Sequence, residues 1–235
     1  MKTKRNLMTV LFALITLFVF HSVSIAQEDL AVNAADEEAV AFARRYEIIV
    51  CHDAAYSEIA FDGYRPLSFM EVEGAKEVGI EFHSLSKTFN MTGWRIGFAV
   101  GCPEIVSTLG RIKENIDSGL FQAIQEAGIE AFRQFETPLH DIIQVYQRRR
   151  DVMVKGLREM GWEVEEPKAT FYLWVRVPKG YHSTQLTSLL LEKAGLVTTP
   201  GNGFGDAGEG YIRMALTVDE SRLKEAIRRL KGISF

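Results

Sequence analysis

Residues Val78 to His83 form a strand-like run that breaks into a short polar turn, Ser84-Leu85-Ser86-Lys87-Thr88, and a second strand-like run, Arg95 to Gly101, follows soon after. The pattern puts a lysine, flanked by serines, on a loop at the end of a strand, where loops carry chemistry and the strands act as scaffold. A third run, Glu47 to Cys51 (EIIVC), lacks polar alternation, the texture of a strand buried on both faces of a parallel sheet. It leads into His52-Asp53, at the C-terminal end of a strand, where open α/β sheets bind ligands. The expected fold class is therefore α/β.

The order of elements supports two domains. The segment 27–35 is polar and patternless and reads as a linker; Asp36 then caps a short helix, Glu37 to Tyr46, with Val40 and Ala43 at helical spacing. After Gly101, Glu104 to Phe135 reads as one long helix or two broken near Asp117-Ser118-Gly119, and Leu139 to Met160 as another. From Gly161 the texture turns to α+β: strands at Trp162 to Glu166 and Thr170 to Val177, and a helix from Ser183 to Ala194. A glycine-rich loop (Gly201 to Gly210), a strand Tyr211 to Leu216 and a helix Asp219 to Leu230 follow. The expected division is 36–145 for a sheet domain and 146–235 for a smaller one.

Composition narrows the function classes. Of 235 residues, 47% are hydrophobic and 25% charged, enough apolar content for a core, and a net charge of −4 gives no reason to expect nucleic-acid binding. Cys51 and Cys102 are too few for a disulfide framework and read as small buried residues. No Cys/His spacing suits zinc, so no metal site is expected. The first residues stand apart. Lys2, Lys4 and Arg5 precede an apolar run, Leu7 to Phe20, and a small-x-small pattern ends at Ala26. That is a secretory signal pattern over 1–26, too short for a spanning helix, and it implies export.

Several side chains invite chemical roles. The Lys87 amine can bond covalently to a cofactor aldehyde and later carry a proton. Ser84, Ser86 and Arg95 suit a phosphate: hydroxyls donate to anionic oxygens, and a guanidinium pairs with them bidentately. The Asp53 carboxylate can pair with a cationic nitrogen, and Tyr56, three residues on, can donate its hydroxyl proton to an anionic oxygen. Arg213, inside the apolar strand Tyr211 to Leu216, is unusual enough to need a partner, and its fork suits a carboxylate. His52 and His83 flank these motifs without an assigned role.

Taken together, Asp53-Ala54-Ala55-Tyr56, Ser84-x-x-Lys87, Arg95 and Pro200-Gly201-Asn202-Gly203-Phe204-Gly205 ahead of Arg213 resemble the motifs of fold-type I, pyridoxal-phosphate-dependent class I and II aminotransferases. Among these the likeness is greatest to the LL-diaminopimelate aminotransferases. The resemblance implies a partial PLP-dependent transferase fold, the remnant of a mostly parallel large-domain sheet, followed by a small α+β C-terminal domain. It implies pyridoxal 5'-phosphate as cofactor, with Lys87 as the catalytic lysine that bonds it. Asp53 and Tyr56 would tune the ring, Ser84 and Arg95 would hold the phosphate, and Arg213 would clamp the substrate α-carboxylate. The implied substrates are an amino acid, LL-diaminopimelate if the subfamily likeness holds, and a 2-oxo acid such as 2-oxoglutarate; the implied assembly is a homodimer. It also implies that the chain carries the C-terminal half of such an enzyme. The alternative expectation is an inactive remnant, or a module that needs a separate N-terminal half.

Overall fold

In the computed structural model, residues 28–233 and 235 are described. The expected signal segment, 1–26, lies outside them. The chain divides into two compact units that interleave along the sequence: residues 28–54, 67–83 and 97–120 in one, and 55–66, 84–96 and 121–235 in the other. The cut expected near 145/146 falls inside a helix, Glu136–Glu159.

The first unit opens with α1 (Glu28–Tyr46). The helix takes in residues 28–35, read above as a linker, and Asp36 lies in its interior rather than at its cap. The reason is composition: the segment includes Ala31, Ala34 and Ala35 with Glu28 and Leu30, and it has neither Gly nor Pro to stop a helix. Arg44 and Arg45 close its last turn, where the helix dipole favours cations. Glu47 then takes a left-handed φ of 53°, and Ile48 N–H donates back to Ala43 O. That reversal uses up 47–49, so β1 runs Val50–Asp53, later than expected. Nor is the run buried on both faces: Ile48 and Ile49 are 44% and 49% exposed, because β1 has a single neighbour among the described residues. Cys51, expected to be buried, is exposed, whereas Cys102 is buried.

A capped 3-10 turn at Phe69–Glu71 and the one-turn helix α2 (Ala75–Val78) lead into β2 (Gly79–Ser84). β1 and β2 are parallel, with Asp53 in register with Phe82. β3 (Gly97–Gly101) neighbours β2 on the other side, and Cys102 N–H donates to Gly79 O. The end of β3 therefore meets the start of β2, and the two run antiparallel. α4 (Pro103–Asp117), begun by Pro103, stops at Ser118, whose φ of 58° is left-handed. The core of this unit is small: Val40 of α1 with Phe69 and Ala75.

The second unit holds the larger core. It contains α3 (Leu85–Thr88), α5 (Gln122–Arg133) and α6 (Glu136–Glu159), so of the two readings of the helical stretch the broken one holds, with the break at 118–121. β4 (Tyr172–Arg176), α7 (Ser183–Ala194), β5 (Thr199–Pro200), β6 (Tyr211–Ala215) and α8 (Glu220–Leu230) complete it. β6 is the centre of an antiparallel sheet ordered β4-β6-β5. Trp162 to Glu166 contributes only a bridge, Val164 to Val175. In β4 and β6 alternate residues are buried, as expected of a sheet with one face in the core. Leu173, Val175, Ile212 and Met214 point inward, where Leu157 of α6 and Leu223 of α8 meet them. Tyr172, Trp174, Tyr211 and Arg213 occupy the opposite face, with Trp174 paired directly to Arg213.

The segment 55–66 belongs here through backbone pairing. Ala60 bridges Ala169, Phe61 N–H donates to Lys168 O, and Thr170 N–H to Ile59 O. Arg150 of α6, 2% exposed, reinforces this by pairing with Asp62 at 2.5 Å and lying over the Phe61 ring.

Candidate active site

The lysine loop, 84–96, closes on itself. Ser84 ends β2 in extended backbone and stands at the N-cap of α3 without a side-chain capping bond. Phe89 and Met91 N–H both donate to Leu85 O, Thr92 Oγ1 donates to Ser86 O, and Leu85 N–H donates to Ile96 O. Asn90 and Arg95 supply the two left-handed φ values, 54° and 55°, that fold so short a segment back. Buried Leu85 and the Phe89 ring anchor it to α5 and its end. Leu85 and Ile96 lie over Gly128, and the rings of Phe132 and Phe135 are each 5.7 Å from Phe89.

The anchored loop presents a half-buried Lys87 whose Nζ lies 5.4 Å from the centroid of the Tyr56 ring. Among the described residues it makes no ion pair. Arg95 Nη1 donates to Thr92 O at 3.0 Å and reaches Ser86 Oγ at 3.5 Å. Ser86 is buried and Ser84 half-buried. Lys87, Tyr56, Ser84, Ser86 and Arg95 thus share one unit. Their donor set is one amine, one phenol, two hydroxyls and one guanidinium, which fits an aldehyde that also carries a phosphate and a phenolic oxygen. Asp53 belongs to the other unit, exposed at the C-terminal end of β1.

Arg213 is half-buried on β6, with its guanidinium carbon 4.3 Å from the Tyr172 ring centroid and 4.5 Å from that of Phe204. Among the described residues it makes no hydrogen bond and no ion pair, so its N–H donors remain available. The loop before it is held by close backbone approach. A Cβ at Gly201 would lie 1.9 Å from Gly208 O, so only glycine fits.

The sequence reading missed a polar cluster in the first unit. Glu81 is 1% exposed, yet its carboxylate accepts from Ser68 Oγ at 2.8 Å and Phe69 N–H at 2.8 Å. His52 Nδ1 and His83 Nε2 each lie 2.7 Å from it. Burial pushes the Glu81 pKa up, but the hydrogen bonds from His52, Ser68 and His83 outweigh it and hold the group below the usual carboxylate range. An ionised carboxylate only accepts, so His52 Nδ1 and His83 Nε2 are the donors. Asp36 of α1 faces the same cluster, and its own pKa is raised, chiefly by burial. The one signal in sequence was Glu81 inside an otherwise apolar strand that also carries His83, next to a strand that carries His52. Among the described residues no group of three or more His, Cys, Asp or Glu is placed to hold a metal ion.

The family model for aminotransferase class I and II matches residues 30–230. The chain belongs to this family. Its members use pyridoxal phosphate. An LL-diaminopimelate aminotransferase of Halothermothrix orenii is 60% identical over 196 residues, 83% of this chain and 50% of that protein. Its counterpart in Syntrophobacter fumaroxidans is 57% identical over 199 residues, 85% of this chain and 51% of that protein. Among solved structures, substrate-bound BacF from Bacillus subtilis superposes with a TM-score of 0.82 at 36% identity, over 86% of this chain and 52% of that one. An aminotransferase from Staphylococcus aureus does so with a TM-score of 0.80 at 33% identity, over 85% of this chain and 53% of that one. The chain spans about half the length of the relatives it matches. The expected partial transferase fold is therefore what the chain has.

Proposed function

We propose that this aminotransferase-family chain forms the lysine-bearing half of a transaminase active site, exchanging an amino group between an amino acid and a 2-oxo acid. The observation that carries the reading is the self-closed 84–96 loop, which sets Lys87 Nζ beside the Tyr56 ring with Arg95 and Ser86 at hand. When bound, pyridoxal phosphate supplies an electron sink for the carbanion character that develops at the substrate's α-carbon. Lys87 moves the proton at that carbon, and Arg95 with Ser84 holds the phosphate. Ser86, buried, supports Arg95. Asp53 and Tyr56 are the carboxylate and phenol for the pyridine nitrogen and the ring oxygen. Arg213 takes the substrate's α-carboxylate. The names of the relatives favour LL-diaminopimelate as amino donor; 2-oxoglutarate as acceptor and a homodimer as assembly rest on the family resemblance alone. Export, which rests on residues 1–26, belongs to the same proposal.

Transfer of amino groups from LL-diaminopimelate to 2-oxoglutarate by the purified chain tests it, with glutamate formation as the readout. Activity that disappears in Lys87→Ala is expected. A second reading, a module that acts only once the rest of the fold joins it, is favoured by Phe98 and Val100 of β3, both 39% exposed. It is the reading to keep if glutamate forms only after a relative's N-terminal half is added. Glutamate formation equal in the chain and in Lys87→Ala would remove both.

A further inference from the structure

The face of the C-terminal sheet that bears Arg213 is more aromatic than a single carboxylate site requires. Tyr172 and Phe204 flank the guanidinium, at 4.3 and 4.5 Å. Trp174, opposite Arg213 in register, meets the Phe204 ring edge-on at 5.7 Å and stacks on Tyr211 at 5.5 Å. Phe204 is placed there by the loop: Gly201 and Gly208 back onto each other, and the turn between them swings Phe204 over β6. On the other side, the Tyr172 ring lies 5.9 Å from that of Tyr56, which is the ring beneath Lys87 Nζ.

We infer that Tyr172 and Phe204 are positioning residues for Arg213, two rings that fix the plane of its guanidinium so that one carboxylate meets a pre-set donor edge. Through Tyr56, Tyr172 also ties that edge to the lysine loop. An arginine side chain free in water samples many rotamers, and the entropy lost on binding weakens any pair it makes. Attraction to the faces of two rings settles part of that cost before a ligand arrives, and it leaves the N–H donors unused because it acts through the plane of the group. Phe204 and Tyr172 thereby set affinity for a carboxylate without touching it. The inference rests on the proposed role of Arg213 as a carboxylate clamp, and its test separates the two.

The test is a titration of the 15N-labelled full chain with succinate, a short dicarboxylate, followed at the Arg213 Nε–H resonance, which the spectrum of Arg213→Lys identifies. The two rings should displace that resonance upfield in the unliganded chain, and succinate, by accepting a hydrogen bond from the guanidinium, should move it downfield. Phe204→Leu and Tyr172→Leu should each move the unliganded resonance downfield and weaken succinate binding about five-fold, from the usual worth of an arginine–ring contact. Phe204→Tyr and Tyr172→Phe, which keep the rings, should restore both readouts. Phe204, 44% exposed on a loop, is the variant that leaves the core untouched. Succinate affinity equal to the parent's in Phe204→Leu and Tyr172→Leu, but lost in Arg213→Lys, would overturn the clamp and leave the proposed function standing. Affinity undiminished in Arg213→Lys, or no response in the parent, would overturn the role of Arg213 and the clamp with it.

Discussion

Two buried charges show how individual residues hold each unit together. Arg150 donates to Asp62, Asp151 and Pro167 O and lies 3.3 Å from Glu166. Burial works against its charge, but the hydrogen bonds it donates to Asp62 and Asp151 outweigh it, and its pKa rises. Replacing it with Met keeps some packing but strands the 55–66 segment. Arg150→Met should cost on the order of 2–3 kcal/mol in urea unfolding, discounted because its acidic partners are half-exposed. Glu81 makes a claim about pH. Its folded pKa lies below the unfolded value, so its stabilisation is present in full above the usual carboxylate pKa and is lost as the pH falls through the folded one. Unfolding midpoints measured from pH 3 to 7 should therefore fall more steeply on the acid side in the parent than in Glu81→Gln. At neutral pH that variant should be less stable by about 1–3 kcal/mol, from lost charged hydrogen bonds. Equal acid limbs would show that Glu81 is not the group responsible. Lys87, Tyr56, Arg95 and Arg213 could be singled out as candidates because each lies in a short local motif. Glu81 was not, since its partners Ser68, His52 and His83 come from three separated segments.

At the scale of elements, the lysine loop depends on α5. A Cβ at Gly128 would lie 2.6 Å from Ile96 Cδ1, the free end of a flexible side chain, and 3.5 Å from Leu85. Ile96 can swing away from one methyl, and alanine gains helix propensity over glycine, so Gly128→Ala should be near neutral, within about 0.5 kcal/mol. Gly128→Val adds branches that Ile96 and Leu85 cannot both escape, and it should cost about 1–3 kcal/mol. A chemical denaturation series reads both, and equal costs would mean that α5 does not press on the loop. Helices and strands with local signals were read well. α7 runs Ser183–Ala194 as expected, and α4 gives way to α5 across the Asp117-Ser118-Gly119 break. β1 was displaced because nothing local announced that Glu47 would turn the chain left-handed after α1. The short β5, Thr199–Pro200, shows only through its pairing with Ile212 and Arg213.

At the scale of the molecule, the two units cut across sequence order, and the residues responsible explain why the sequence concealed it. Ala60 with Ala169 and Arg150 with Asp62 join segments about a hundred residues apart, and no periodicity marks such pairs. The motifs, by contrast, are carried on short local segments, so candidate residues could be named from sequence while the architecture that holds them could not. The central claim is that this architecture is enough to make Lys87 a cofactor lysine. Its most direct test is to mix the full chain with pyridoxal phosphate, reduce with borohydride, digest, and locate the phosphopyridoxyl mass by peptide mapping. The account predicts one dominant modified residue, Lys87, and loss of that label in Lys87→Ala without a compensating site. Label spread over surface lysines, in equal amount in the parent and in Lys87→Ala, would contradict it.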